Sequence, residues 1–255
     1  MIERLFPPAS YPWLPGWYHL AFAGVVLPAL AVLGHRKLAK KELPLPDRTR
    51  HFRSTTFTLA LFMGVSLWVA RAQRIELFPF DRDHLLPGLL PGLLAGLAMY
   101  VAAVLFMRPR WRRAVERRAR VVYLFMPDNA RERAWWIAVS VLAGVGEEIT
   151  WRGAQTSLLF GWIGNYWVAA VLCAVCFGLA HYVQGWRSAA VIVFFALGFQ
   201  LVVLVSGSLY IAMLVHVVYD VTAGLAYGRL GRELGYRLDP ALPAVEPAAP
   251  GPVST

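Results

Sequence analysis

Long apolar segments separated by short polar loops run through most of the chain. A helix of about 20 apolar residues spans the ~30 Å hydrocarbon core of a bilayer. Seven segments of this kind occur, at residues 17–34, 54–72, 85–107, 134–152, 166–183, 188–205 and 208–228. The pattern predicts an all-α polytopic membrane bundle of about seven transmembrane helices. We expect one transmembrane domain over residues 1–237, then a Pro- and Ala-rich tail, 238–255, whose lack of periodicity predicts disorder.

The Lys and Arg residues are concentrated in alternate loops. Seven of them lie between the first two apolar segments, and nine lie in the loop at 108–133. Cytoplasmic loops carry such an excess of positive charge, so the N-terminus is expected outside and the C-terminus in the cytoplasm. The Ala- and Arg-rich composition suggests a bacterial source, which places the protein in the inner (plasma) membrane.

Composition supports a membrane protein and excludes a nucleic-acid binder. The chain is 58% hydrophobic and 16% charged, with a mean hydropathy of +0.52. The net charge of +10 is explained by the basic loops, and no basic patch carries base-stacking aromatics. Cys173 and Cys176 lie one turn apart in an apolar run, where packed small residues are expected rather than a redox pair.

A few ionisable residues lie inside the predicted spans. Of the 15 acidic residues, only Glu147, Glu148 and Asp220 do so. They belong to three short pieces, namely Glu147-Glu148-x-x-x-Arg152, Phe177-x-x-x-His181 and His216-x-x-x-Asp220. Charge at bilayer depth is costly, so such residues are expected to face one another and to form a functional site.

Each piece has helical i,i+4 spacing, which places its end residues on one helix face. Glu148 and Arg152 are therefore predicted to pair as an electrostatic clamp, which leaves Glu147 free. His216 and Asp220 are likewise predicted to touch.

A free carboxylate with two histidines allows two chemistries. In one, Glu147 and His181 activate a water molecule, while His216 and a neighbour hold the oxyanion, and no metal is required. In the other, Glu147, His181 and His216 bind zinc with an open position for water. Both lead to amide hydrolysis. On straight helices with the bounds above, Glu147 and His181 would differ by ~10 Å in depth.

The three pieces, in this order and on these spans, resemble the CPBP family of intramembrane proteases, also called the Abi or CAAX-protease family. The resemblance covers about residues 134–228. It implies a helical bundle with a polar cavity open to the cytoplasm, and an endopeptidase acting on a membrane-associated protein or peptide within the lipid bilayer. It also implies that Glu147 and His181 activate water without a required metal, zinc being the other option.

By the same resemblance, His216 and the residue four positions later stabilise the oxyanion. That role fits asparagine, whereas this chain has Asp220, which donates a hydrogen bond only when protonated. We therefore expect Asp220 to orient His216. Phe177 is expected to pack against the site or to shield it.

Two functions from other classes compete with a protease. A proton- or cation-coupled transporter could use the same residues as a relay, although the internal repeats typical of carriers are not found. A non-catalytic membrane protein of the bacteriocin-immunity type would need them only for folding or docking.

Overall fold

The structure is a computed structural model that describes residues 13–40, 45–78 and 82–236, without the side chains of residues 82–85. All regular structure in these ranges is helical, which confirms the all-α class of a membrane bundle. The tail predicted to be disordered, 238–255, lies outside the described residues. The single-domain organisation stays a prediction.

Eight α-helices follow one another in the described residues. They are α1 (Leu14–Ala39), α2 (Arg48–Ala72), α3 (Arg82–Glu116), α4 (Ala130–Glu147), α5 (Thr156–Ile163), α6 (Tyr166–Ala180), α7 (Trp186–Ser206) and α8 (Tyr210–Glu233). A π-helical segment, Phe22–Val26, lies inside α1, and another, Glu148–Gln155, joins α4 to α5. Short 3₁₀ helices lie at Arg120–Phe125 and Tyr182–Gln184.

Each of the seven predicted apolar segments falls on helical structure. Within the described ranges, α1, α2, α3 from Leu86, α7 and α8 are long and apolar enough to cross a membrane. Helix α6 is apolar but shorter, with 15 residues. The predicted fourth span is part of a longer helical stretch that runs unbroken from residue 130 to 163. The protein is an integral membrane protein, while the number of seven crossings and the orientation of the termini stay predictions.

The π-helix between α4 and α5 is held by contacts to its own end and to α6. The carbonyl of Trp151 accepts a hydrogen bond from the Thr156 hydroxyl at 2.8 Å and from the Cys173 thiol at 3.0 Å. Cys173 is a buried free thiol, in line with the packing predicted for it. All eight residues of the π-helix are buried. A wider helical turn of this kind is often found at functional sites.

Helices α4 and α8 approach each other closely at two glycines. A Cβ atom on Gly144 would lie 2.6 Å from the backbone nitrogen of Val217, and one on Gly224 would collide with the indole of Trp136. The Trp136 indole N–H donates to the carbonyl of Asp220 at 3.0 Å. Small residues let membrane helices approach in this way. The approach brings the end of α4 beside the middle of α8.

We expect Gly144→Ala to destabilise the protein, because the added methyl group would push α8 away from α4. Overpacking of this kind costs about 1–3 kcal/mol. The matched control is Gly64→Ala on α2, where a Cβ meets nothing within 4 Å. Thermal unfolding in detergent micelles should show a lower midpoint for Gly144→Ala alone. Equal midpoints for the two variants would show that the α4–α8 approach is not as tight as described.

Candidate active site

Three helices bring Glu147, His181 and His216 together. Glu147 is the last residue of α4, His181 caps the C-terminus of α6, and His216 lies within α8. The Oε2 atom of Glu147 lies 3.9 Å from Nε2 of His181 and 3.9 Å from Nε2 of His216. The side chains thus converge on one point.

The ~10 Å difference in depth expected for Glu147 and His181 on straight helices is therefore absent. Helix α6 has 15 residues and ends before His181, so its length of ~22 Å is less than the thickness of the hydrocarbon core. The start of α6 therefore does not mark the far edge of the hydrocarbon core, and the depth calculated on straight, full-length spans does not apply.

Hydrogen bonds on the Nδ1 atoms fix how both imidazoles face Glu147. His181 Nδ1 donates to the carbonyl of Phe177 at 2.8 Å. His216 Nδ1 lies 2.8 Å from Oε1 of Glu148. A carbonyl or carboxylate oxygen accepts a hydrogen bond, so each Nδ1 carries the hydrogen and each Nε2 faces the site.

Glu148 is fully buried, and its carboxylate contacts the guanidinium of Arg152 and the imidazole of His216. Its Oε1 atom lies 3.1 Å from Nη1 of Arg152, which is the pair predicted from the spacing. The same oxygen holds His216. The guanidinium of Arg152 lies over the rings of Phe177 and Phe199, at 4.5 and 5.3 Å from their centroids. Glu148 therefore links the π-helix to α8, a contact that i,i+4 spacing could not predict, since it joins two helices.

Asp220 lies on the other side of the His216 ring from Glu148. Its Oδ2 atom is 3.7 Å from Nε2 of His216, beyond hydrogen-bonding distance. The close contact that sets the ring orientation thus comes from Glu148. Phe177 is buried, and its ring centroid lies 4.5 Å from that of His181, as expected for a packing residue.

The zinc alternative requires Glu147, His181 and His216 to be ligands of one ion. Within the described part of the chain, no group of three or more His, Cys, Asp or Glu side chains is found with the geometry of a metal site.

A cavity of about 850 Å³ extends from these residues toward the end of the bundle that carries the basic loops. Its walls are mainly apolar and come from α2, α3, α4, α7 and α8, with Phe52, Met99 and Phe195 among them. The volume is within the usual range for ligand pockets, about 300–1,000 Å³. Glu147, His181, His216 and Asp220 all line it.

Comparison with known proteins identifies part of the chain. Residues 129–222 match the model of a family described as Type II CAAX prenyl endopeptidase Rce1-like. The matched segment is similar to this family over 94 of the 255 residues of the chain. This confirms the resemblance seen in the three sequence pieces, all of which lie within the match. No curated protein and no solved structure matches the chain significantly.

The match of residues 129–222, the Rce1-like segment, indicates a protease and supports the general activity of an intramembrane endopeptidase. The family also implies a membrane-associated protein as the substrate. The match does not identify the catalytic class of the protease.

A second buried polar cluster connects the Rce1-like segment to helices outside it. His19 of α1 is 2% exposed, with Nδ1 at 3.0 Å from Oε1 of Gln155 and Nε2 at 3.1 Å from Oγ of Ser66. The Ser66 hydroxyl also lies 2.8 Å from that of Thr150. The cluster holds both ends of the π-helix that follows Glu147. No role was predicted for His19, although a histidine within an apolar segment indicates a buried polar contact.

We expect Ser66→Ala to lower the free energy of unfolding by about 1–3 kcal/mol, because Nε2 of His19 and the hydroxyl of Thr150 each lose a buried hydrogen bond. Thr58→Ala is the matched control on the same helix, since its hydroxyl bonds only to the carbonyl of Ser54 at 3.0 Å. The control should change stability by less than about 0.5 kcal/mol. Unfolding titrations in mixed micelles compare the two. A Ser66→Ala variant as stable as the control would contradict a supporting role for the cluster.

Proposed function

We propose that this protein hydrolyses a peptide bond of a membrane-associated protein within the bilayer, with water activated by Glu147 and His181. The convergence of Glu147 on two imidazole nitrogens, at 3.9 Å each, carries the proposal. Packing alone does not require three ionisable side chains from three helices to meet in a cavity at bilayer depth.

The distances around Glu147 suit an attacking water. A gap of 3.9 Å is too long for a direct hydrogen bond and leaves room for a water between the groups. The Glu147 carboxylate and Nε2 of His181 are both acceptors, so they can take the two hydrogens of one water molecule. As the water oxygen attacks the carbonyl carbon, Glu147 accepts the proton and later delivers it to the leaving amine nitrogen.

His216 is placed to stabilise the oxyanion. The carboxylates of Glu147, Glu148 and Asp220 lie 3.9, 2.8 and 3.7 Å from the ring nitrogens of His216, and a nearby carboxylate favours the protonated form of an imidazole. As an imidazolium, His216 keeps one N–H on Glu148 and points the other from Nε2 into the site. That second N–H donates to the oxygen on which negative charge develops.

We assign the orientation of His216 to Glu148 rather than to Asp220. Glu148 makes the 2.8 Å contact to Nδ1, whereas Asp220 faces Nε2 at 3.7 Å. The carboxylate of Asp220 then stabilises the imidazolium from the side where substrate binds. Arg152 keeps Glu148 in place and balances its charge.

We expect Glu147→Ala, His181→Ala and His216→Ala each to lower the cleavage rate by at least about 10²-fold, because each removes a proton acceptor or an oxyanion donor. The assay uses the purified full-length protein in nanodiscs and a library of membrane-tethered peptides. Glu233→Gln is the control glutamate, since it is exposed and pairs with Arg229 away from the cavity. Wild-type rates in all three variants would refute the mechanism. Ion flux by wild-type proteoliposomes without peptide cleavage would instead favour a carrier.

Dependence on metal is tested separately. Because the proposed mechanism activates water with Glu147 and His181 alone, we expect full cleavage activity after exhaustive chelation with EDTA and 1,10-phenanthroline. The control is a zinc protease treated in the same way, which should lose its activity. Loss of activity that added Zn²⁺ restores would establish the zinc mechanism in place of the one proposed.

A further inference from the structure

Four arginines line the end of the cavity that leads to the basic loops. Arg110, Arg113 and Arg117 follow one another at spacings of three and four residues at the end of α3, and Arg187 lies at the start of α7. Residues with these spacings share one helix face. All four are exposed and line the same cavity as Glu147. We call this set the arginine mouth.

Two exposed arginines outside the cavity each pair with a glutamate on their own helix. Arg112 lies 2.9 Å from Glu116, and Arg229 lies 2.6 Å from Glu233. In contrast, Arg113 and Arg117 have no carboxylate partner among the residues that the structure describes.

The other two arginines of the mouth, Arg110 and Arg187, contact uncharged groups. Arg110 donates to the carbonyl of Phe106 at 2.6 Å, and the guanidinium of Arg187 lies 5.4 Å from the ring centroid of Trp186. Of the described residues that line the cavity, only Glu147 and Asp220 are acidic. The mouth is therefore a region of uncompensated positive charge.

The positive-inside rule explains how many arginines this end of the protein carries, but not how they are arranged. Arg112 is a neighbour of Arg113 in sequence, yet it does not line the cavity and is paired with Glu116. Arg113 and Arg117, which have no carboxylate partner among the described residues, border the path to the active site instead. Their charge is therefore placed where it meets a segment that enters the cavity.

The mouth is close enough to the active site to contact the same substrate segment. The ring centroid of Trp111 lies 6.1 Å from that of Tyr219, the residue before Asp220. Arg113 lies two residues beyond Trp111, or ~3 Å along the helix. Together with the distance between the Trp111 and Tyr219 rings this makes ~9 Å, which an extended chain covers with about three residues. Substrate residues about two to four positions from the scissile bond would reach the arginines.

We propose that the arginine mouth binds an acidic segment of the substrate polypeptide, with Asp or Glu side chains next to the cleaved bond. This inference rests on the proposed function and adds a substrate class to it. Guanidinium groups bind carboxylates through paired hydrogen bonds, and they keep their charge at any physiological pH. Four arginines on two helices fit several acidic side chains better than a single carboxylate at a chain end.

The test compares binding of matched peptides by full-length protein in phosphatidylcholine nanodiscs. Membrane-tethered peptides carry either two Glu or two Gln residues at two to four positions from the centre, each with a free or an amidated C-terminus. Fluorescence anisotropy gives the Kd in the Glu147→Ala background, so that binding is measured without cleavage. Cleavage by the protein with Glu147 intact is measured in parallel.

We expect the Glu peptide to bind about tenfold more tightly than the Gln peptide. Each exposed ion pair contributes up to about fivefold in affinity, and the Glu peptide can form two such pairs. In Arg113→Gln/Arg117→Gln protein the ratio should fall to near one. Arg112→Gln removes the same type of charge from outside the cavity, and it should keep the preference. The preference should also shrink when salt is raised from about 50 mM to about 500 mM.

Three results would overturn the inference. One is equal binding of Glu and Gln peptides, or a preference that Arg112→Gln removes as fully as the double variant does. Another is a preference that follows only the free C-terminus. The last comes from a parallel sample of protein purified with added phosphatidylglycerol: retention of this lipid that depends on Arg113 and Arg117, without any peptide preference, would make the mouth a lipid-headgroup site. A clear Glu preference without cleavage by the intact protein would establish binding of acidic segments by the mouth and refute the proposed function.

Discussion

Glu148 is a carboxylate with no solvent exposure, and a charge in that position must be matched by its neighbours. Removing an ion from water costs several kcal/mol, which only close partners can offset. Here the partners are Arg152, in the same π-helix, and His216, from α8. Because Glu148 directly follows α4 and His216 belongs to α8, the contact that neutralises the Glu148 carboxylate also fixes α8 against the end of α4. Glu147 is the adjacent residue, so the geometry of the whole site follows from the neutralisation of its neighbour.

The sequence could predict the helical class and the polar groups that gather at bilayer depth, because both depend on local properties. Hydropathy marks apolar segments, and i,i+4 spacing pairs residues within one helix, as it did for Glu148 and Arg152. The contact between Glu148 and His216 could not be predicted, since it depends on how α4 and α8 are rotated toward each other. For this reason, the sequence suggested that Asp220 orients His216, whereas we propose that Glu148 does so.

The π-helix and the short α6 explain the remaining differences. A π-helical turn depends on contacts from elsewhere in the fold, such as the thiol of Cys173 on the Trp151 carbonyl, which no local pattern encodes. Segment ends drawn from hydropathy are also too imprecise to show that α6 stops just before His181. The role of His19 was missed for a similar reason, because its partners Ser66 and Gln155 come from distant parts of the sequence. Local patterns thus indicated which residues lie at the candidate site more reliably than they indicated which residues those side chains contact.

The order of the helices along the chain has a consequence for biosynthesis. A membrane protein leaves the ribosome from its N-terminus, so α4 with Glu147 is inserted well before α8 with His216 and Asp220. Until α8 packs at Gly144 and Gly224, the nascent protein holds a carboxylate and one imidazole without the group proposed to stabilise the oxyanion. Proteolytic competence would then arise only when the last helix is in place. A protein that cleaves other membrane proteins would in this way remain inert during its own insertion.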